Sequence, residues 1–339
     1  MEKVKILVVG KPELSEYLGD LPPNAVVLDI GVEFTAFKDE HVQEAEVLLL
    51  RGGHDLMVAA FEHLYPKLVA GKLKWVHCCS AGIDFLFHSA AGEEFANNET
   101  VGLTNARGCY SQSLAEYCMY ACLYFSKLTT RLQSNHEGKV WDCFVMPQLK
   151  SQTLCILGYG DIGSKVATLA KAFQMKVWGL RSRPEKSKDD PLLDKLFGPS
   201  DQEVHELVSN ADFLVVCLPS TEATAGFVDR NILEKMKSTS VLINIGRGAT
   251  LNEDHLFKHL EERRIFGAAL DVFKTEPLPK SSSLWNLPND VLLMSSHNAD
   301  NVPNMDQLAL GKFREILQEF VDSDCKVPSE RAVNKKLGY

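Results

Sequence analysis

The feature that most constrains the fold of this chain is a short apolar run that breaks into three closely spaced glycines. Residues 151–163 read SQTLCILGYGDIG, and a helix-like segment follows at Ser164–Phe173. The first glycine can take a tight turn, the second lets the backbone approach a phosphate, and the third lets the helix pack against the strand. The amides and dipole of that helix would then face an anion. The pattern predicts a dinucleotide-binding site with contacts at Gly158, Gly160, Asp161, Ile162 and Gly163.

The glycine cluster lies deep inside the chain, whereas a cofactor domain standing alone would begin with it. With 339 residues, of which 45% are hydrophobic and 24% charged, the sequence is typical of a globular protein that is too long for one ordinary core. We therefore expect two domains, with a sizeable part of the chain preceding the cofactor domain.

Charge, hydropathy and cysteine content argue against several classes of protein. The chain has 36 basic and 45 acidic residues, and the net charge of -9 disfavours nucleic acid and anionic membranes as partners. No apolar stretch is long enough for a secretory signal or a bilayer span. The nine cysteines are scattered, without the spacing of a disulfide framework or a zinc site. We therefore expect free thiols, no metal and a cytoplasmic protein.

Short apolar runs alternate with longer mixed segments, which is the rhythm of an α/β fold. Early strands are predicted at Ile6–Val9, Val26–Ile30, Val47–Leu50 and Trp75–Cys78. Later strands are predicted before Gly158 and at Met175–Leu180, Phe213–Leu218, Val241–Ile245, Ala268–Leu270 and Val291–Met294. These six parallel strands would make a complete doubly wound sheet. Helices are predicted at Leu56–Leu68, Ser111–Lys127, Arg230–Met236, Glu253–Arg264 and Asn304–Asp322.

The end of the second strand of that sheet indicates which dinucleotide is bound. NAD-binding domains usually place an acidic residue there, roughly 20 residues beyond the glycines, to accept hydrogen bonds from the ribose hydroxyls. Here the strand ends in Arg181, Ser182 and Arg183, with two guanidinium groups where a 2′-phosphate would lie. Because a charge-assisted hydrogen bond contributes about 1.5 to 3 kcal/mol, we expect NADPH to be preferred over NADH. The alternative is that both arginines are solvated loop charges.

Three later strands end in residues suited to hydride transfer to a carbonyl group. Arg247 follows the strand Val241–Ile245, and its guanidinium would hold a substrate carboxylate. Asp271 and Glu276 follow the next strand, and His297 follows the last one. Because the carboxyl ends of parallel strands share one edge of a sheet, we expect a cation, an acid and a proton donor to meet there.

At this point the sequence resembles the D-isomer-specific 2-hydroxyacid dehydrogenases, a family that includes glyoxylate and hydroxypyruvate reductases and D-lactate, formate and phosphoglycerate dehydrogenases. The resemblance extends over nearly the whole chain. Besides the glycine turn and His297, it covers residues 75–84 (WVHCCSAGID), 105–116 (NARGCYSQSLAE), 218–219 (LP), 244–248 (NIGRG), 270–279 (LDVFKTEPLP) and 333–339 (VNKKLGY).

The resemblance implies an α/β fold in which a Rossmann-type doubly wound parallel sheet is inserted into a smaller, flavodoxin-like α/β substrate domain. The substrate (catalytic) domain would comprise residues 1–103 and 297–339, and the dinucleotide-binding domain residues 104–296. The apolar helix predicted from Ser111 and the habit of the family both favour a homodimer.

The resemblance also implies a role for each candidate residue. Arg247 would bind the carboxylate and keto oxygen of the substrate, and His297 would donate a proton as hydride arrives from the nicotinamide. Glu276 would orient the imidazole and favour its protonated form. Asp271 would face the nicotinamide carboxamide. Further cofactor contacts would come from Leu218, Pro219, Ile245 and Gly246, and substrate contacts from Arg51, Gly53, Ala81, Gly82 and Ile83.

Several of these residues have a plainer interpretation. Asp271 could cap a turn, residues 80–82 could form an ordinary turn, and Arg51 could be a solvated loop charge. The chain also departs from the family near His297, where Ser296 replaces the usual proline and residues 298–301 (NADN) replace a small, glycine-containing continuation. These departures bear on the substrate more than on the chemistry.

The sequence therefore predicts an NADPH-dependent reductase that converts small 2-keto acids to D-2-hydroxy acids, with glyoxylate and hydroxypyruvate as the first candidates. The alternative is an interaction protein that senses the dinucleotide without significant turnover, because the family also includes transcriptional corepressors.

Overall fold

The computed structural model describes residues 3–19, 21–336 and 338. The chain divides into two compact units, which we call the first and the second unit. The first unit comprises Met1–Tyr110 and Pro303–Tyr339, and the second comprises Ser111–Val302.

The strands and helices follow one another along the chain in an α/β pattern. The strands are β1 (Val4–Val9), β2 (Ala25–Gly31), β3 (Val47–Leu50), β4 (Trp75–Cys78), β5 (Gly102–Asn105), β6 (Thr153–Leu157), β7 (Lys176–Leu180), β8 (Lys195–Phe197), β9 (Phe213–Val216), β10 (Val241–Asn244), β11 (Gly267–Leu270) and β12 (Leu292–Met294). The helices are α1 (Leu14–Leu18), α2 (Asp39–Glu44), α3 (His54–Val69), α4 (Ala90–Asn97), α5 (Ser111–Ser126), α6 (Thr129–Gly138), α7 (Asp161–Ala172), α8 (Asp201–Asn210), α9 (Arg230–Lys235), α10 (Glu253–Glu261) and α11 (Met305–Asp322).

The first unit contains a parallel sheet in the order β2-β1-β3-β4-β5, which is the flavodoxin-like order. Strand β3 is entirely apolar, and every residue of β3 and β4 is buried, as expected for a parallel sheet covered on both faces. Helix α11 completes this core. The ring of Trp75 in β4 lies 5.3 Å from the ring of Phe313 and 5.1 Å from that of Phe320.

The second unit contains a parallel sheet in the order β12-β11-β10-β9-β6-β7-β8. The chain builds outward from β6 to β8 and then returns to build β9 to β12 on the other side of β6. This is the doubly wound order, and its direction reverses between β6 and β9. Ligands of such sheets bind outside the carboxyl ends of the strands near that reversal. The predicted α/β fold with two parallel sheets is confirmed.

The structure corrects the expected number of strands in the second sheet, which has seven rather than six. The missed strand, β8, has three residues, of which only Phe197 is buried, so no apolar run marks it in the sequence. The compact units divide the chain after Tyr110 and after Val302, and the predicted domain limits stay predictions. Strand β5 pairs with β4 in the first sheet, and Asp271 binds the chain just after His297. The substrate and cofactor roles of the two units stay predictions.

Three global findings apply to the part of the chain that the structure describes. None of the nine cysteines forms a disulfide bond there. No helix among the described residues combines the length and apolar character that crossing a bilayer requires. Within the same residues, no group of three or more histidine, cysteine, aspartate or glutamate side chains could hold a metal ion.

Candidate active site

The glycine turn joins β6 to α7 at the point where the strand order reverses. Gly158 has a φ of 98°, and a Cβ there would lie 2.7 Å from the carbonyl oxygen of Cys217. A Cβ at Gly163 would lie 2.8 Å from the carbonyl oxygen of Gly158, so only glycine lets α7 pack this closely. A Cβ at Gly160 would meet no atom within 4 Å. At Gly158 and Gly163 the turn is therefore packed against other main-chain atoms, whereas at Gly160, just before α7, there is open space.

This geometry fits the pyrophosphate of a dinucleotide. The first amides of a helix have no partner within the helix, and its dipole favours an anion at that end. The carboxylate of Asp161, which would repel a phosphate, instead accepts a hydrogen bond from Ser111 Oγ. Asp161 and Ile162 are partly exposed at the start of α7, beside the open space at Gly160.

The residues after β7 form the candidate site for the ribose of the cofactor. The half-buried Arg181 donates a hydrogen bond to Ser187 Oγ, and Ser182 and Arg183 are exposed. Sequence reasoning missed Asp190, which comes close to this strand end. Both carboxylate oxygens of Asp190 accept a hydrogen bond. Oδ2 accepts from Tyr159 OH at 2.8 Å, and Oδ1 accepts from the Leu192 N–H at 3.0 Å. It was missed because the loop folds back, which spacing alone does not reveal.

The turns after β9 and β10 lie against each other at the same edge of the sheet. These turns carry the predicted cofactor contacts Leu218, Pro219, Ile245 and Gly246. A Cβ at Gly246 would lie 2.7 Å from the carbonyl oxygen of Leu218, and the Ile245 N–H donates to the Val216 carbonyl at 3.2 Å. The structure therefore brings these four residues together.

Arg247 follows directly and is half-buried. Its carbonyl oxygen accepts hydrogen bonds from Asn244 Nδ2 at 3.2 Å and from Thr250 Oγ1 at 2.6 Å. Its guanidinium donates to the Gly246 carbonyl at 2.9 Å. The backbone of the turn is thus fixed on both sides of the arginine.

The turns that carry Arg247 and Glu276 are packed backbone against backbone. A Cβ on Gly248 would overlap the main chain of Phe273, so the two turns touch where only glycine fits. The Phe273 N–H donates to Glu276 Oε1 at 2.8 Å, which leaves the other carboxylate oxygen to face a different group.

That group is His297, which follows β12. Its Nδ1 lies 2.8 Å from Glu276 Oε2, and the two side chains are 31% and 34% exposed. Burial opposes ionisation of Glu276, but hydrogen bonds from His297 and the Phe273 N–H outweigh it and lower the pKa of Glu276. The hydrogen bond to Glu276 raises the pKa of His297 against burial, with the charges of Glu276 and Asp300 adding and that of Arg247 opposing. The pair is therefore suited to hold a protonated imidazole beside an ionised carboxylate.

Asp271 organises the turn after β12. Its side chain is 1% exposed, and its Oδ1 accepts from the N–H groups of Asn298 at 2.9 Å and Ala299 at 3.1 Å. Ser295 Oγ lies 2.6 Å from the same oxygen. The carboxylate thus caps this turn, which is the plainer interpretation of Asp271 given above. A contact between Asp271 and the nicotinamide carboxamide stays a prediction.

Two further residues near His297 were not assigned by the sequence. The hydroxyl of Tyr117, in α5, lies 2.8 Å from Ser295 Oγ. The two residues are 178 positions apart in the chain, so no local sequence pattern indicates this contact. Asp300 interacts electrostatically with His297 and Arg247. Its only signal was the unusual NADN stretch after the histidine.

The predicted substrate contacts lie in the first unit. Arg51 is not a solvated charge, because its side chain is 16% exposed and its Nε donates to Asp306 Oδ1 at 2.6 Å. Gly53 immediately precedes α3. The carbonyl of Ala81 accepts from Asn105 Nδ2 at 2.5 Å, Gly82 is partly exposed and Ile83 is buried. Contacts between these residues and the substrate stay predictions.

Comparisons with known proteins agree with this fold. Residues 119–299 match the family model described as D-isomer specific 2-hydroxyacid dehydrogenase, NAD binding domain. Glyoxylate/hydroxypyruvate reductase B of Yersinia enterocolitica is 30% identical over 295 residues, which cover 85% of each chain.

Two solved structures have the same fold. A D-isomer specific 2-hydroxyacid dehydrogenase family protein from Aeromonas salmonicida has a TM-score of 0.79 at 25% identity, covering 98% of this chain and 100% of that one. A D-isomer specific 2-hydroxyacid dehydrogenase from Xanthobacter autotrophicus, solved with NADPH and MES, has a TM-score of 0.82 at 20% identity, covering 99% and 100%.

A nicotinamide dinucleotide is the cofactor of such a binding domain, and the glycine turn fits it. With more than half of its length matched by the family model and a reductase aligned over most of both chains, this protein belongs to the D-isomer specific 2-hydroxyacid dehydrogenase family and is an NAD(P)-dependent oxidoreductase acting on CH–OH groups.

Proposed function

We propose that this enzyme uses NADPH to reduce small 2-keto acids, such as glyoxylate and hydroxypyruvate, to D-2-hydroxy acids. The observation that carries the proposal is the 2.8 Å pair of His297 Nδ1 and Glu276 Oε2, held within electrostatic reach of Arg247. This set offers a proton donor, an acid that keeps the donor charged, and a cation for a carboxylate.

In this mechanism Arg247 binds the substrate carboxylate and keto oxygen through its planar guanidinium. The bound reduced nicotinamide supplies the hydride. Because Nδ1 of His297 faces Glu276, the proton given to the keto oxygen would come from the opposite ring nitrogen. Glu276, ionised at neutral pH, stabilises the imidazolium before transfer and fixes the ring orientation.

The preference for NADPH rests on the strand end after β7. Arg181 donates a hydrogen bond to Ser187 Oγ there, and Arg183 is exposed nearby, so two guanidinium groups could bind a 2′-phosphate. Asp190, the acidic residue close by, already accepts from Tyr159 and Leu192 and is a poor acceptor for a ribose hydroxyl. The related enzyme from Xanthobacter autotrophicus was solved with NADPH.

We also propose that the enzyme is a homodimer. Helix α6 contains no buried residue, and the segment after it exposes large apolar side chains. Trp141 is 95% and Val145 86% exposed, and Val140, Leu132 and Met146 are exposed as well. An exposed apolar surface of this kind marks an interface, and most soluble oligomers pair identical surfaces.

The proposed function is tested by supplying the purified protein with glyoxylate, hydroxypyruvate, pyruvate and longer 2-keto acids, each with NADPH and with NADH, and following the loss of reduced-cofactor absorbance. We expect the smallest acids to have the highest kcat/KM, NADPH to be favoured by about tenfold or more, and the chiral products formed from hydroxypyruvate and pyruvate to be the D isomers. Equal or better use of NADH would refute the cofactor preference. A protein partner bound tightly, with no keto acid reduced, would instead favour the sensing alternative.

A further inference from the structure

Asp300 is a carboxylate that the mechanism above does not use. It lies three residues after His297 and interacts electrostatically with both His297 and Arg247. Asp300 therefore shares the surroundings of the two residues proposed to bind and protonate the keto group.

The position of Asp300 is fixed by the backbone around it. Asp271 accepts from the N–H groups of Asn298 and Ala299, and Ser113 Oγ donates to the carbonyl of Ala299 at 2.5 Å. Beyond Asp300, the Val302 N–H donates to the Asp300 carbonyl at 3.0 Å. The backbone of Asp300 therefore keeps its place relative to His297, which lies on the same turn.

The carboxylate of Asp300 has unused capacity to accept hydrogen bonds. It interacts with its own backbone N–H, and no side chain in the described part of the chain donates a hydrogen bond to it. Burial raises the pKa of Asp300, an effect that Asp271 reinforces and His297 opposes. A half-buried acceptor of this kind is stabilised when a ligand supplies a donor. Asp271, by contrast, is fully engaged.

We infer that Asp300 determines substrate specificity by accepting a hydrogen bond from a donor on C3, the carbon next to the keto group. The inference rests on the proposed function. His297 would give its proton to the oxygen on C2, and Asp300, which lies on the same turn and within electrostatic reach of both His297 and Arg247, would then meet the adjoining part of the substrate. A hydroxyl on C3, as in hydroxypyruvate, supplies the donor that the methyl group of pyruvate lacks.

The test compares hydroxypyruvate with 3-fluoropyruvate. Both carry an electronegative atom on C3, which activates the keto group, but only the hydroxyl can donate a hydrogen bond. The quantity measured is the ratio of their kcat/KM values in the wild type, in Asp300→Ala and in Asp300→Asn. Glu261→Ala, which removes one exposed charge at the end of α10, is the matched control.

We expect the ratio to fall about 10- to 100-fold in Asp300→Ala, the range for a hydrogen bond to a charged acceptor. Asp300→Asn, which keeps a neutral acceptor of the same shape, should lower it less, and Glu261→Ala should leave it unchanged. A titration with NADPH checks that each variant is folded. If Asp300→Ala does not fold, the Asp300→Asn ratio decides.

The failure of this inference differs from the failure of the proposed function. If the wild type reduces both acids and neither Asp300 variant changes the ratio beyond about twofold, the role of Asp300 is refuted and the proposed function stands. If the wild type reduces no 2-keto acid, the proposed function is wrong and the inference falls with it.

Discussion

The backbone of His297 adopts a left-handed conformation with a φ of 54°, which residues other than glycine rarely take. Such a conformation costs about 1 to 3 kcal/mol and persists only where its surroundings hold it. Here the His297 N–H donates to the Asp271 carbonyl at 2.8 Å, and the Asp271 carboxylate binds the next two amides. A single buried aspartate therefore stabilises the strained residue that we propose as the proton donor.

Replacing that donor tests its role directly. In His297→Asn we expect kcat for keto-acid reduction to fall about 10²- to 10⁴-fold, because no group remains to protonate the developing alkoxide. Binding of NADPH, measured by fluorescence titration, should persist because the glycine turn is untouched. A variant that keeps more than about a tenth of the wild-type kcat would rule out His297 as the donor.

The pH dependence tests the pair. Reduction needs the protonated imidazole, and Glu276 raises the pKa of His297, so activity should persist above the ordinary histidine range and decline as pH rises through the raised value. In Glu276→Gln the pKa of His297 should drop, and the decline should move to lower pH. The measurement is kcat/KM from about pH 6 to 9 in both proteins. Superimposable profiles would contradict the assigned pairing.

At the scale of elements, the site is built from turns at the carboxyl ends of β6, β9, β10, β11 and β12. Each turn touches the next through its main chain, as at Gly158 with Cys217, at Gly246 with Leu218, and at Gly248 with Phe273. Because the contacts are between backbones, a small displacement of one turn moves its neighbour. The geometry of the site is thus a property of the whole sheet edge.

Gly248→Ala tests this coupling. The added methyl group would overlap the Phe273 backbone, so we expect the turns carrying Arg247 and Glu276 to separate, with kcat/KM reduced and the free energy of unfolding lowered by about 2 kcal/mol. Gly311→Ala is the control, for which we expect the free energy of unfolding to change in the opposite direction. It lies in α11 with open space around it, and should raise the free energy of unfolding by about 0.5 to 1 kcal/mol. Urea titrations measure both, and a neutral Gly248→Ala would refute the coupling.

Sequence periodicity located most of these elements, because parallel strands and the helices that cover them differ clearly in the spacing of apolar residues. The predicted helix Ser111–Lys127 is α5, which ends at Ser126, and the predicted strand Trp75–Cys78 is β4. Strand β8 was missed because a strand of three residues has too few side chains to show a pattern.

At the scale of the molecule, the stability of the fold should depend on a buried histidine in the first unit. His77 in β4 has no exposed surface, its Nδ1 lies 2.6 Å from Thr104 Oγ1, and its Nε2 has no hydrogen-bond partner among the described residues. Burial lowers the pKa of His77 from 6.5 to about 3, and the charge of Lys312 adds to the effect. The folded protein therefore resists protonation that the unfolded chain accepts.

Because the folded pKa is the lower one, the stabilisation is complete above pH 6.5 and is lost as pH falls toward about 3. Lowering the pH from 7 to 5 should remove about 2 kcal/mol from the free energy of unfolding. In His77→Asn, which cannot titrate, this contribution should disappear. Urea titrations at both pH values measure the difference, and an equal pH dependence in the two proteins would contradict the assignment.

The proposed homodimer predicts that one charged substitution separates the subunits. Trp141→Lys would place an ammonium group in the apolar interface, so light scattering should report a monomer where the wild type is a dimer. Tyr17→Lys, at another exposed aromatic residue, is the control and should leave the dimer intact. A monomeric wild type, or a dimeric Trp141→Lys protein, would refute this interface.

Apolar periodicity and turn residues predicted the doubly wound sheet, the glycine turn and the strand ends that carry Arg247, Glu276 and His297, whereas the flavodoxin-like sheet was expected from the resemblance to the family. These features were predictable because periodic burial and turn chemistry are local, and because parallel strands bring their carboxyl ends to one edge. Contacts between distant side chains became visible only in the folded chain. Examples are Ser295 with Tyr117 and Arg51 with Asp306. The directions of these side chains, and of Asp271 and Asp300, depend on packing that residue spacing does not encode.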